Sequence, residues 1–168
     1  MSDSNQYKIL IAAEESEVSC KAIRHAFDLC SRLNTPYSLE IVYVIALNPE
    51  TNVPFLHNLD KANNLDILLD AKKPISMVME RLEQYKSIYV RDLLKSNLLK
   101  NVEYNFNKLE GHGIVGKILK DYIETHKPDL NLLIVGSRDL DGLQKIVLSS
   151  TSDYLVKHLR CPVTIVKP

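Results

Sequence analysis

The chain has 168 residues, within the range of one domain, with 45% hydrophobic and 25% charged residues, an ordinary globular balance. Its 21 basic and 21 acidic residues cancel, which speaks against a nucleic-acid partner, since a broad footprint requires a basic stripe. The opening "MSDSNQY" is polar with no signal-peptide core, and no apolar run approaches a bilayer span, so the expectation is a soluble, cytoplasmic protein with no membrane partner.

Residues 7–13, "YKILIAA", form a nearly continuous apolar run and predict a strand buried on both faces. "EES" follows, with Ser16 as the expected N-cap of a helix. Val18, Ala22, Ile23, Ala26, Phe27, Cys30 and Leu33 recur at helical spacing until Asn34, Thr35 and Pro36 stop it. Cys20 and Cys30 share this helix, roughly 15 Å apart along its axis, so they cannot bridge each other while it is intact. With Cys161 they make an odd, scattered set that fits a reducing compartment and buried small hydrophobes.

Residues 39–46, "LEIVYVIA", predict a second strand. The stretch 47–74 holds Pro49, Pro54 and Pro74 among Asn and Asp residues. It reads as a long excursion with a short helical piece around 65–69, either mobile or covering a site. Residues 75–99 predict an amphipathic helix with the stripe Ile75, Val78, Met79, Leu82, Tyr85, Tyr89 and Leu93, all expected in the core. "VEYNFNKL", 102–109, alternates with period two, as a half-exposed strand does. "EGHG" turns the chain into a helix carrying Ile114, Val115, Ile118, Leu119, Tyr122 and Ile123. Residues 132–135 make a fourth strand, a Ser/Thr-rich loop opens a fourth helix, and "CPVTIVKP" supplies a fifth strand. This alternation implies one α/β domain over 1–168, a doubly wound three-layer fold whose five-stranded parallel sheet has helices on both faces. Ligands in such sheets sit at the carboxyl ends of the strands, where the strand order reverses.

The segment "IVGSRDLDGLQKIVLSSTSDYLVKHL", 134–159, has the order of a phosphate site. Gly136 ends a buried strand, and a missing side chain there permits close approach of a ligand. The following helix start offers N–H groups and partial positive charge, to which Ser150, Thr151 and Ser152 add hydroxyls. Arg138 and Lys145 supply positive charge. The alternative stands at even weight: the hydroxyls only cap the helix, and the basic residues are solvated. His25, His57, His112, His126 and His158 have no metal-ligand spacing, and no GxxxxGK[ST] or GxGxxG occurs.

Taken together, "KILIAAEESE", "LEIVYVI", "GHGIVGKILKDYIETHKPDL" and "LLIVGSRDLDGLQKIVLSSTSDYLVKHLRCPVTIVKP" resemble the universal stress protein family over nearly the whole chain. The resemblance implies an adenine-nucleotide-hydrolase-like fold and a regulatory protein that binds ATP or another adenine nucleotide, with or without Mg²⁺. It places Ala12, Glu14 and Val44 against adenine and ribose. It places Val135, Gly136, Arg138, Asp139, Ser149, Ser150, Thr151 and Ser152 against the phosphates. ATP-binding members carry G-x2-G-x9-G-(S/T); here Gly136 and Ser150 fit, while Asp139 and Ser149 replace two glycines. At about 5 Å and an effective dielectric near 20, Asp139 would repel a phosphate by roughly 3 kcal/mol, about a hundredfold in affinity unless Mg²⁺ bridges the two. The resemblance also implies a homodimer paired through Val163–Val166, an apolar edge otherwise exposed. A nucleotide-independent dimeric scaffold is the alternative function. A slow ATPase ranks third, because no positioned base or nucleophile is apparent.

Overall fold

The structure, a computed structural model, describes residues 6–48, 54–96, 102–137 and 150–168. β1 (Tyr7–Ala13) is followed by α1 (Glu17–Arg32) and β2 (Tyr37–Leu47). Two helices come next, α2 (Pro54–Asp70) and α3 (Lys72–Ser96), then β3 (Asn105–His112) and α4 (Val115–His126). β4 (Leu132–Gly136), α5 (Ser150–His158) and β5 (Val163–Val166) complete the order. The five strands form one parallel sheet ordered β3-β2-β1-β4-β5. The order reverses between β1 and β4, as in a doubly wound α/β fold.

Strand periodicity sorts the core into two layers. Ile9, Ile11 and Ala13 of β1 pack with Ala22, Ile23, Phe27 and Cys30 of α1 and with Val78 and Leu82 of α3. Leu10 faces the other way, onto Leu119 and Ile123 of α4 and Leu155 of α5. Both faces of β1 are therefore buried, which is why its sequence is an apolar run and not an alternation. β3 is an edge strand and keeps the alternating, half-exposed pattern.

Several boundaries differ from the sequence reading. The 47–74 stretch is not an irregular excursion: residues 54–70 are helical. Pro54 is the first residue of α2 and Pro74 falls in the first turn of α3, where the missing N–H costs no helical hydrogen bond. Proline here marks helix starts, not a loop. The two helices follow each other almost without a break, since the Ala71 amide donates to the Ile67 carbonyl and the Ile75 amide to the Ala71 carbonyl. α2 docks on the end of the sheet through Ile67 and Leu68, beside Ile45 and Ile75. In the stripe of α3, Ile75, Val78 and Leu82 are buried, but Met79 is 49% exposed. The side chains of Tyr85, Tyr89 and Leu93 lie outside the described residues.

β3 begins at Asn105 and runs through Gly111 and His112, later than the alternation at 102–109 suggested. Val102 is buried in the core without joining the sheet. The turn comes at Gly113, whose φ of 103° suits glycine and few other residues. Among the described residues no helix is long and apolar enough to cross a membrane. Cys20 and Cys30 are buried and Cys161 is half-buried, all as free thiols. Burial pushes the Cys30 thiol up to about 12, so it stays protonated and inert.

Candidate functional site

The carboxyl ends of β1 and β4 open into a cleft of about 280 Å³. Its floor is Ala12, Ala13, Val44 and Val135, from the last turns of three adjacent strands. Glu14, Glu15 and Tyr43 wall one side. Gly136, Val115, Ser150 and Thr151 wall the other, bringing the starts of α4 and α5 to the opening. A larger hollow of about 410 Å³ lies at the opposite end of the sheet, beside Leu130, Leu159 and Cys161. It is remote from the strand-order reversal, where the geometry of such sheets concentrates ligands.

The acidic wall is held by local hydrogen bonds. Ser16 caps α1, its hydroxyl accepting from the Ser19 amide at 3.2 Å. Ser19 is fully buried, and its Oγ accepts from the Glu14 amide at 2.9 Å. The tight turn from strand to helix is thus closed on its inner side, and Glu14 is half-buried at the cleft. From β2, the Tyr43 hydroxyl donates to Glu15 Oε2 at 3.2 Å. Burial first, then the charge and hydrogen bond of Glu15 and the charge of Glu14, push the Tyr43 hydroxyl up to about 12. It is a neutral donor throughout the physiological range.

The opposite wall is made of helix starts. α4 opens at Val115 with Ile114 as N-cap, and Ile114 gives no side-chain cap. The Lys117 amide donates to the Ile114 carbonyl at 3.0 Å, which leaves the amides of Val115 and Gly116 outside the helix ladder. α5 opens at Ser150, so its partial positive end also borders the cleft. Carboxylates on one side and helix starts on the other give the cleft a built-in polarity. It can take a ligand with hydroxyls at one end and negative charge at the other.

Of the residues named from the sequence, Ala12, Glu14, Val44, Val135, Gly136, Ser150 and Thr151 line this cleft together. Arg138, Asp139, Lys145 and Ser149 lie outside the described residues. Ser152 does not line it: the residue is 1% exposed and its hydroxyl donates to the Gly136 carbonyl at 3.3 Å. Its position one turn into α5 points it at the sheet, so its proton serves to tie the helix to β4. Gly136 also has a packing reason. A Cβ there would meet the Val18 carbonyl carbon and the Ser19 amide nitrogen at 3.1 Å. The glycine makes room for the start of α1 while it lines the cleft.

Tyr43 and Glu15 were not marked as site residues by the sequence. They are joined across 28 positions. The available signal was adjacency in sequence: Tyr43 precedes Val44 near the same strand end, on the opposite face of the sheet. Among the described residues no group of three His, Cys, Asp or Glu side chains could hold a metal ion.

A model described as the universal stress protein family matches residues 7–167. Universal stress protein MJ0531 of Methanocaldococcus jannaschii is 23% identical over 160 residues, covering 95% of this chain and 81% of that protein. Among solved structures, universal stress protein UspA from Lactobacillus plantarum superposes with a TM-score of 0.63 at 20% identity, covering 96% of this chain and 98% of that one. A universal stress protein in complex with cAMP superposes with a TM-score of 0.53 at 16% identity, covering 97% of this chain and 98% of that one.

Proposed function

The chain belongs to the universal stress protein family, and from that premise we propose that it is a regulatory protein that takes an adenine nucleotide in the cleft between β1 and β4. The observation that carries this reading is the meeting of Ala12, Glu14 and Val44 with Ser150 and Thr151 around one opening. The donor set fits such a ligand. Val44, Ala12 and Val135 offer an apolar bed for the base, and the Glu14 carboxylate can accept from ribose hydroxyls. The Ser150 and Thr151 hydroxyls and the first turn of α5 suit a phosphate. The solved cAMP complex of a universal stress protein supports the class of ligand. Among the described residues none at the cleft is both placed and activated as a nucleophile or base, and the role we infer is binding and signalling.

Calorimetry with ATP, ADP and AMP on the full chain tests this, together with mass spectrometry of gently purified protein under native conditions. Saturable binding at or below about 1 mM is expected. No heat and no co-purified nucleotide would sink the proposal.

A second reading, a nucleotide-independent dimeric scaffold, draws support from Gly136 and Ser152, since both residues also serve packing. On it, Asp139→Gly with Ser149→Gly creates ATP binding that the natural chain lacks. Both readings share a homodimer paired through β5, an edge strand whose four residues are only half-buried. Truncation before Pro162 is then expected to give monomer or aggregate in sedimentation. An unchanged dimer would remove β5 from the interface.

A further inference from the structure

Arg81 lies on α3 and matches no motif position, yet it reaches the acidic wall of the cleft from outside. Its Nη1 donates to the Glu15 carbonyl at 3.0 Å and to Cys20 Sγ at 2.8 Å. Glu15 precedes the N-cap Ser16, so its carbonyl stands outside the hydrogen-bond ladder of α1. Among the described residues Arg81 is what ties that carbonyl to α3. Three elements therefore grip one turn: α1 through Ser19 on the Glu14 amide, β2 through Tyr43 on the Glu15 carboxylate, and α3 through Arg81 on the Glu15 carbonyl.

The grips differ in kind. Ser19 and Tyr43 belong to the central layers and cannot move without disturbing the core. α3 rests on that core through Ile75, Val78 and Leu82 while its opposite face, at Met77 and Met79, is open to solvent. A guanidinium is a rigid planar fork, so it fixes the direction of its partner as well as the distance. A shift of α3 by a fraction of a turn is passed directly to the backbone between Glu14 and Ser16.

We propose that Arg81 is a positioning residue that sets Glu14 and Glu15 in the cleft and makes α3 the element through which nucleotide affinity is regulated. The proposal rests on the nucleotide reading above. By linkage, anything that displaces α3 changes affinity at the cleft, and a bound nucleotide steadies α3 by the same factor.

The test uses the full chain as wild type, Arg81→Ala, Arg81→Lys and Val78→Ala. Amide exchange at Glu14 and Ser19 is followed by NMR without ligand, and AMP affinity by calorimetry. Arg81→Ala is expected to speed exchange at both amides about tenfold and to weaken AMP about tenfold, the scale of one charge-assisted hydrogen bond. Arg81→Lys, which still presents a donor to the Glu15 carbonyl, is expected to recover most of both. Val78→Ala loosens the same helix from the core but keeps the Arg81 contact, so it lowers the melting temperature and gives only a small part of either loss. Unchanged exchange in Arg81→Ala overturns the proposal, and so does faster exchange with unchanged AMP affinity. Equal losses in Val78→Ala also overturn it, because they assign the effect to helix stability. If wild type binds none of ATP, ADP and AMP, the nucleotide reading fails and the cleft role of Arg81 fails with it. The ligand-free exchange data still decide separately whether Arg81 holds the turn.

Discussion

Glu40 in the middle of β2 and Glu15 at the end of the β1 turn are carboxylates on one sheet with opposite surroundings. The Glu40 side chain is 10% exposed and its oxygens take Lys127 Nζ at 2.6 Å, the Tyr122 hydroxyl at 2.6 Å and Asn107 Nδ2 at 2.5 Å. Burial alone would raise its pKa, but the hydrogen bonds from Lys127, Tyr122 and Asn107 and the Lys127 charge outweigh it and hold the carboxyl below its ordinary value. Glu15 is exposed, accepts from Tyr43, and borders a cleft with two helix starts across it. A saturated carboxylate is committed to structure, because nearly every lone pair is taken. A half-satisfied one beside an opening retains acceptor capacity for a ligand. The contrast separates the part of the sheet that holds the fold from the part that can respond.

The largest effect is expected from breaking the saturated cluster. Glu40→Ala leaves the Tyr122 hydroxyl, Asn107 and Lys127 without their shared acceptor, at a cost of about 3 kcal/mol, read by urea unfolding. The sign of its pH dependence follows from the lowered pKa. Glu40 contributes its stability above an ordinary value of 4.5 and loses it as pH falls through the lower folded value. The gap between wild type and Glu40→Ala should therefore narrow below pH 4.5. A constant gap would show that the charge of Glu40 contributes nothing. Because the cluster is far from the opening, AMP affinity should not change.

Gly136→Ala comes next and joins the two regions. The new Cβ would press on the backbone of Val18 and Ser19, which cannot yield as a side-chain tip can. Overpacking of this kind costs about 1–3 kcal/mol, and it pushes the start of α1 away from β4. Loss of stability together with loss of nucleotide affinity is expected. Lost affinity at full stability would instead return Gly136 to the role of a ligand cradle.

The sequence pattern carried the sheet and the two-sided core because these are written in local periods. Tyr7–Ala13 is the clearest case: a short apolar run with no alternation, closed off by "EES", has the length and pattern of a strand covered on both sides. Ser16 was legible for the same reason, since a cap is defined by its neighbours. Helix α2 was missed because Pro54 and Pro74 read as breakers, whereas the structure uses them where a helix has no hydrogen bond to lose. At the site, seven of the residues that line the cleft follow from the family resemblance, but the packing contacts of Gly136 and Ser152 do not. Both depend on how closely α1 and α5 approach β4, a distance no sequence period encodes. Arg81 and Glu15 are 66 positions apart, and their contact exists only once α3 lies across α1.

Ser152→Ala measures the opposite wall. Its hydroxyl ties α5 to the Gly136 carbonyl, and removing one such bond costs about 1 kcal/mol. If the hydroxyl serves only that tie, AMP and ATP affinities change little. A tenfold loss of phosphate-dependent affinity at unchanged stability would give Ser152 a place at the ligand after all.

The smallest effect on stability, and the sharpest on charge, belongs to Glu15→Gln. The new side chain keeps an oxygen to accept from Tyr43 but carries no charge. The Tyr43 pKa should fall from about 12 toward its ordinary 10 without reaching it, because burial is the first cause of the shift and remains. A raised folded pKa gives stability that is complete below pH 10 and is lost as pH rises toward 12. The variant should therefore show a shorter alkaline loss than wild type, with neutral-pH stability within about 0.5 kcal/mol. Ultraviolet titration of tyrosinate in the variant, against a Tyr43→Phe control, reads the shift directly. A Tyr43 pKa that stays near 12 would mean that burial alone sets it. Glu15 would then lie electrically outside the cleft, and the acidic wall would reduce to Glu14.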